Sequence, residues 1–444
     1  LFVLVTVFLK QGECRKELYD HSAAFRNGPW LIREEIMPHH LDPKNYYRLP
    51  WSLTDNAISW LEPTWKCNIY CEGCYRINDP RGHKPLAQVK EELAVFKKHR
   101  LTDGISIAGG DPLIHPDIVK IVRTVSESGL KPILNTNGVA LTPELLRELK
   151  AAGAKGFTFH VDSKQSRPHW KNKSELELCE LREQFAEMLY EVGGLSCAFN
   201  STVYEDTLKF VPDLVAWAQR NIKKVHVIVF IAYRAAVVDG RFDYYAGDTK
   251  IDLQEIPYTT DGSKKVDILS TDIYHLIKAR FPDFDSAAYL NGSNKPDSFK
   301  WLLGGRIGTK DKIYGYVGPK FMELSQVFHH LRHGHYLAYT EPKIHRRGKS
   351  MLLLAAIDPK LRAALRRFLA AVVVNPLRLF KRLRYQSIMI IQPPDILDDG
   401  TQNMCDGCPD MTVLDGKLVW SCRAEEPMRY GCWVQTIPKQ VQAH

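Results

Sequence analysis

No apolar run in the 444-residue chain approaches the ~20 residues that a membrane-crossing helix needs. The nearest, Leu1–Leu9, lacks a basic leader and a small-residue cleavage site, so it is not read as a signal peptide. Leu1 in place of Met reads as a fragment or a non-standard start. Gly 28 and Pro 25 are ordinary counts, which excludes collagen-like and linker-dominated chains. No repeat or low-complexity tract is evident. With 45% hydrophobic and 25% charged residues, global disorder is excluded as well. The expectation is a soluble, globular chain of about three domains, or one large domain with elaborations.

A disulfide scaffold is also missing, since such chains are short, cysteine-dense and secreted. Seven of the ten cysteines fall instead into two tight groups. Cys179 and Cys197 lie in apolar patterns and read as small buried hydrophobes, and Cys14 has no local partner. The first group, Cys67, Cys71 and Cys74, follows the strand-like run Ala57–Leu61. Spacings of three and two residues let one loop wrap three thiolates around a compact cluster. A [4Fe–4S] cube has four irons, so three thiolates leave one iron open to a chelating small molecule. The competing reading is half of a zinc site, but zinc prefers paired short spacings and no second pair lies nearby.

One βα unit later comes Gly109-Gly110-Asp111-Pro112. Its glycines allow a close backbone approach to a ligand, and Asp111 offers a carboxylate to an ammonium group. A plain turn uses the same residues. The two motifs together resemble the signature of the radical S-adenosylmethionine (radical SAM) superfamily, CxxxCxxC followed by a GGEP-like motif. The resemblance implies a [4Fe–4S] cluster on Cys67, Cys71 and Cys74 whose open iron binds SAM, with Gly109, Gly110, Asp111 and Pro112 at the methionine amine. It implies reductive cleavage to a 5′-deoxyadenosyl radical, which abstracts hydrogen from a substrate, and an electron donor such as flavodoxin or ferredoxin. Two departures stand out: Asp111 replaces the family's Glu, and Gly73 stands where an aromatic residue usually precedes the third cysteine. Tyr75 is the substitute for that adenine contact.

From Ala57 to Ile231 short β-branched runs alternate with amphipathic ones. Strands are expected near 57–62, 104–108, 131–135, 156–161, 195–203 and 225–231, with helices such as Leu86–Lys98, Pro143–Ala152 and Glu175–Val192 between them. Six such units make an α/β fold with a parallel sheet, and the resemblance specifies a partial (β/α)6 TIM-type barrel. Chemistry then belongs at the C-terminal strand ends. Asn137 and Ser163 are the candidates for SAM, although Asn137-Gly138 also suits a turn. His160 and Asp162 share a face as proton carriers or as a structural pair.

Cys405, Cys408, Cys422 and Cys432 form the second group, with a hairpin over Met411–Val419 turning at Asp415-Gly416. By itself the group reads as structural zinc. The resemblance favours an auxiliary [4Fe–4S] cluster in a SPASM- or twitch-like extension. Between Pro342 and Pro394 stand twelve basic residues and one acid, Asp358, against a net charge of +9 for the whole chain. The basic excess is therefore local, and no nucleic-acid partner is expected. Large apolar residues at helical spacing accompany it, so the segment reads as a peripheral contact with an anionic membrane or as a helical cover with solvated charges. The first reading points to a lipid-like substrate, while a small-molecule substrate and a peptide-modifying enzyme stand beside it. A non-catalytic iron–sulfur carrier is disfavoured, because it needs four thiolates. His329, His330, His333 and His335 crowd one stretch in which Glu323 is the nearest acid, and a metal site there is conceivable. The segments expected are 1–50 as an extension carrying His39-His40, 51–235 as the barrel, 236–395 as the substrate-side region, with loops and short elements from Asp239 to Gly305, and 396–444 as the cysteine domain. An oxygen-labile cluster implies a reducing cytoplasm.

Overall fold

The structure is a computed structural model, and it describes residues 41–439 apart from 234–235, 238–241, 253–258, 261–267, 339–340 and 398. Cys14 and His39-His40 lie outside the described residues. The strands of the main sheet are β1 (Tyr47–Arg48), β2 (Ile58–Thr64), β3 (Gly104–Gly109), β4 (Lys131–Thr136), β5 (Gly156–His160), β6 (Ser196–Val203), β7 (Val227–Ala232), β8 (Ala288–Asn291), β9 (Phe299–Gly308), β10 (Ile313–Tyr316) and β11 (Arg384–Ile391). Five helices cross over between β2 and β7: α1 (Leu86–His99), α2 (Ile118–Glu127), α3 (Pro143–Ala151), α4 (Leu178–Val192) and α5 (Val211–Arg220). Strands β2 to β7 run parallel and adjacent in sequence order, as the alternating pattern predicts. Residues Asp42–His444 form one compact unit.

Strand alternation decides what each side of the sheet does. Phe157, Phe159 and Phe199 point outward to the helices, where the Phe159 and Phe185 rings stack at 4.5 Å and Phe199 meets Trp217 at 5.5 Å. Thr158, His160, Asn200 and Thr202 point the other way and line a cavity. Parallel strands buried on both faces are normally apolar throughout, so polar residues at inward positions mark a site.

The sheet is wider than six strands. β11 adds parallel to β7, and β9, β8 and β1 continue beyond it, with β10 paired to β9. Among the described residues the sheet does not close, and β2 and β1 are its edges. The 239–305 stretch holds more regular structure than the loops and short elements expected, because it supplies a helix, α6 (Ser270–Arg280), and two strands of the main sheet. Its patterning misleads because Phe299–Gly308 carries three glycines and a buried Lys300 and Arg306. Gly305 must stay small there, since a Cβ would lie 2.3 Å from the Tyr385 ring.

After α7 (Pro319–His333) comes α8 (Pro359–Val374), which starts at Asp358 and Pro359. Asp358, the lone acid of the basic segment, accepts from Leu361 N at 3.0 Å as the N-cap and from Phe321 N at 2.9 Å. Leu361, Ala364 and Phe368 bury one face of α8 against β10 and its neighbours, so the helix does act as a cover. The helix ends before Asn375-Pro376, and Val373, Val374 and Phe380 there are each 82% exposed. No helix among the described residues is long and apolar enough to cross a membrane.

Candidate active site

The cluster loop leaves the C-terminal end of β2. Cys67, Cys71 and Cys74 all face a cavity of about 790 Å³. The loop is fastened on both sides. Gly110 N donates to Thr64 O at 2.8 Å, Asp111 N to Lys66 O at 2.9 Å, and Glu72 N to Lys164 O at 3.0 Å. This shows what the glycine pair does. A Cβ on Gly110 would stand 2.1 Å from Lys66 O, and one on Gly109 (φ +106°) 2.1 Å from Thr64 O. The close approach that demands glycine is between the two loops themselves.

Asp111 is placed differently from the expectation. Its carboxylate is wholly buried and accepts from Thr136 Oγ1 at 2.8 Å, Asn137 N at 2.7 Å and Leu113 N at 3.0 Å. Burial raises its pKa to about 6, against the pull of those donors. It fastens the β3 and β4 loops together and does not line the cavity, so it is not available to an ammonium group there. Pro112 starts a short helical turn behind it. Asn137 does reach the site, because its Nδ2 lies 3.7 Å from Cys67 Sγ and 2.7 Å from Asn68 Oδ1. Its Oδ1 also accepts from Val139 N at 2.8 Å, so the turn and the site role coexist. Ser163 lies off the cavity lining, with its amide donating to Glu175 at 2.6 Å. It falls one residue out of phase with the inward-facing Thr158, His160 and Asp162.

Gly73 explains the missing aromatic. A Cβ there would stand 2.7 Å from Tyr204 Oη and 3.3 Å from the Tyr233 ring, so those two rings, 4.8 Å apart, already fill the space. Tyr75 lines the cavity, with its hydroxyl 3.4 Å from Glu62 Oε1. His160 Nε2 is 2.9 Å from Asp162 Oδ2 and 3.0 Å from Thr202 Oγ1, which makes a fixed polar chain on the cavity wall.

The three loop thiols fit an iron–sulfur cluster better than a single zinc. Among the described residues no three cysteine sulfurs fall within 4.8 Å of one another. The corners of a zinc tetrahedron with ~2.3 Å bonds stand only ~3.8 Å apart. Burial pushes all three thiol pKa values up, so they need the positive charge of a metal centre to be thiolates.

The C-terminal cysteines meet the same cavity. Cys405, Cys408 and Cys422 line it, while Cys432 follows the helix Glu425–Tyr430 and does not. Burial pushes the Cys422 thiol up to about 12. The CxxC knuckle is pinned to the barrel, since Asn56 Nδ2 donates to Gly407 O at 2.9 Å and Arg100 Nη2 to Cys408 O at 3.3 Å. The expected hairpin is present as Met411–Leu414 with Lys417–Trp420, and Asp415 and Gly416 both have positive φ.

Sequence reasoning missed the link between the two cysteine groups. Arg76, two residues after Cys74, is buried with its guanidinium against Glu62 of β2 and 3.6 Å from Glu425. Ser421 Oγ donates to the same Glu62 at 2.8 Å. A glutamate inside the apolar run Ile58–Thr64 was the available signal, because a buried strand carries a charge only where a partner meets it.

A family model described as the Radical SAM superfamily matches residues 61–192. An AdoMet-dependent heme synthase of Methanosarcina barkeri is 33% identical over 118 residues, covering 25% of this chain and 32% of that protein. A GTP 3′,8-cyclase 1 of Mycobacterium tuberculosis is 38% identical over 115 residues, covering 22% of this chain and 30% of that protein. The chain thus spans about a third of the length of these relatives. Among solved structures, Streptococcus suis SuiB bound to S-adenosylmethionine is 17% identical with a TM-score of 0.35, covering 51% of this chain and 47% of that one.

Proposed function

We propose, from a chain whose residues 61–192 belong to the radical SAM superfamily, that this protein reductively cleaves S-adenosylmethionine and functionalises an unactivated C–H bond. When bound, a [4Fe–4S] cluster carrying SAM supplies one electron to the sulfonium and yields the 5′-deoxyadenosyl radical that removes the hydrogen atom. Cys67, Cys71 and Cys74 would hold that cluster. Asn137 holds Asn68 and reaches Cys67, which fixes the loop's first ligand. Thr158, Asn200 and Thr202 present hydrogen-bonding groups at the strand ends, where a ribose and a carboxylate need them. His160, fixed by Asp162 and Thr202, is the wall's proton holder.

The observation that carries this reading is a single cavity that brings the cluster loop and three C-terminal cysteines under one aromatic wall. Trp60, Trp65, Tyr204, Tyr233 and Trp301 belong to that wall. Such a wall excludes water and stray hydrogen donors from a primary carbon radical. It also suits a largely apolar substrate. A volume of about 790 Å³ lies within the ~300–1,000 Å³ of small-molecule sites, so it takes the cofactor with a compact substrate or one segment of a longer one. A lipid-like chain meets that requirement, and an apolar side chain of a peptide meets it as the second reading. Cys405, Cys408, Cys422 and Cys432 are proposed to hold an auxiliary [4Fe–4S] cluster, with zinc as the alternative. A flavodoxin or ferredoxin is the proposed electron donor, in a reducing cytoplasm.

The basic, apolar tip after α8 is proposed as a peripheral membrane contact, but its position separates it from substrate capture. It precedes Arg384, the first residue of β11, whereas the cavity is lined by Ile391 and Gln392 at the other end of that strand. At ~3.3 Å per residue the two are over 20 Å apart along the strand. Anaerobic reconstitution with iron, sulfide, SAM and dithionite tests the main reading, with 5′-deoxyadenosine as the product to detect. Mass spectrometry with a deuterated lipid extract and a deuterated peptide pool then reads which class passes deuterium to that product. Absence of 5′-deoxyadenosine from cluster-loaded protein overturns the reading.

A further inference from the structure

The histidine-rich end of α7 folds onto the opposite side of the sheet from the cavity. Asp103 directly precedes β3, and its side chain is 2% exposed. His335 Nδ1 lies 3.6 Å and His329 Nε2 4.0 Å from the same oxygen, Asp103 Oδ1. All three donor atoms fall within 4.8 Å of one another. Glu323, the acid nearest in sequence, pairs instead with Lys320 at 2.7 Å. The acid that completes the group comes from more than two hundred residues earlier in the chain.

Proton placement makes the group more than a coincidence of neighbours. His329 Nδ1 lies 2.9 Å from the carbonyl oxygen of His335, and a carbonyl only accepts, so Nδ1 carries the hydrogen. In the neutral ring that leaves Nε2 as a bare lone pair facing the Asp103 carboxylate. His335 Nδ1 is buried and has no hydrogen-bond partner among the described residues. Two imidazole nitrogens and a carboxylate oxygen therefore converge without a hydrogen bond between them. An imidazole whose second nitrogen donates to a backbone carbonyl is the arrangement that orients a histidine toward a metal. Tetrahedral zinc with bonds of ~2.0–2.1 Å needs ligand atoms ~3.3 Å apart, so closures of about 0.3 and 0.7 Å onto Asp103 Oδ1, and at most about 1.5 Å between the two nitrogens, complete the geometry. The His333 ring, centred 4.5 Å from that of His329, stands next in line as a fourth ligand.

We propose that Asp103, His329 and His335 form a structural site for a divalent transition-metal ion, with zinc as the best match to two imidazoles and one carboxylate. The ion would tie the C-terminal end of α7 to the N-terminal end of the parallel sheet, away from the cavity and independently of its chemistry. Lys131 is the built-in competitor. Its ammonium lies 2.9 Å from Asp103 Oδ1, and at 24% exposure its side chain can turn out to solvent when a metal enters.

The test loads the cluster-reconstituted full chain with zinc after chelator treatment, then measures affinity by calorimetry and metal content by mass spectrometry. Zinc-edge X-ray absorption is recorded on the same samples. The expected result is one zinc with nitrogen and oxygen neighbours at ~2.0–2.1 Å and no sulfur at ~2.3 Å. His335→Ala and His329→Gln should each weaken binding by more than the roughly 10–100-fold that loss of an outer-shell partner costs. Lys131→Met, which removes the competing cation and no ligand, should tighten it. Cys405→Ser should leave this site unchanged. Absence of binding, a sulfur-only shell, or unchanged affinity in both histidine variants would overturn the proposal and leave Asp103 as the partner of Lys131 and the Ala338 amide.

Discussion

Arg76→Met tests whether the buried charge network clamps the C-terminal lobe to the barrel. The Arg76 side chain is 1% exposed and so is that of Glu62, while Ser421 and Glu425 bring the lobe to the same point. Burial works against the guanidinium charge, but Glu62 and Tyr75 outweigh it and hold Arg76 firmly protonated. Removing one partner of such a pair strands the other and costs about 3–5 kcal/mol. Arg76 Nε and Nη1 have no hydrogen-bond partners among the described residues, so deleting the guanidinium also relieves some incomplete solvation. The expected loss is therefore at the lower edge, about 3 kcal/mol, which is a large share of a domain's ~5–15 kcal/mol. Urea unfolding of the anaerobically reconstituted protein, followed by tryptophan fluorescence, measures it as a lower midpoint at unchanged slope. Glu62→Gln in the Arg76→Met background should recover about 2 kcal/mol, because a neutral amide no longer needs a cation. A loss below about 1 kcal/mol, or no recovery in the double variant, would refute the reasoning.

Replacing Cys67, Cys71 or Cys74 by Ala should remove both the cluster's visible absorbance and 5′-deoxyadenosine formation, and retained cleavage in any one of them would break the assignment. Gly110→Ala should keep the far-ultraviolet spectrum but lower iron per chain and SAM cleavage at least tenfold, since its Cβ must push the Lys66 carbonyl away from 2.1 Å. For Asp111, a folded pKa of about 6 against an ordinary value near 4 means that the native state holds a proton the unfolded state has lost. Stability should then fall by up to about 3 kcal/mol as pH rises from ~4 to ~6, and Asp111→Asn should flatten that slope. Paired Val373→Ser and Phe380→Ser changes should weaken co-sedimentation with phosphatidylserine vesicles about 100-fold, from roughly 1.5 kcal/mol per exposed side chain, with SAM cleavage unaltered.

Most of the parallel sheet was legible because its signals are local. β-branched runs bounded by turns place β2 to β7 within two residues of their observed ends, and the Asp415-Gly416 turn fixes its hairpin. The cysteine loop was legible for the same reason, as three thiols within eight residues that the structure turns toward one cavity. What escaped depends on long-range encounters. β9 carries Lys300, whose Nζ donates to Pro393 O at 2.9 Å, and no local pattern makes a lysine at that place look like a strand interior. Asp111 was read as a ligand for a cofactor because Asp-Pro after two glycines leaves the carboxylate's direction open, and its donors arrive from β4. Ser163 was chosen for its place after the end of β5, although it stands out of phase with His160 and Asp162, which were read as sharing a face. Polar residues at every second position, Thr158, His160 and Asp162, carried the answer.

The two ends of the parallel sheet have different tasks, and the physical reason lies in how strands and loops share charge. At the C-terminal ends the loops after β2, β3 and β4 hydrogen-bond to one another through Gly110, Asp111 and Asn137, so the cluster loop is held by backbone contacts. The Gly110 and Asp111 amides fix the loop without adding charge, and the Asp111 carboxylate that ties in β4 lies outside the cavity lining. The charges that the barrel does bury near the cavity are paired across elements, as Arg76 with Glu62 and Arg182 with Glu175. The N-terminal ends are fastened by side chains as well as backbone: the Asp103 carboxylate accepts from Lys131 and the amide of Ala338 and faces His329 and His335, while Asp103 N donates to Ala57 O at 3.0 Å and Lys131 N to Asp103 O at 3.2 Å. A sheet that does not close gains from such a fastening at its N-terminal end. Asp103 supplies it from the β3 terminus, where its carboxylate reaches both the next strand and the end of α7.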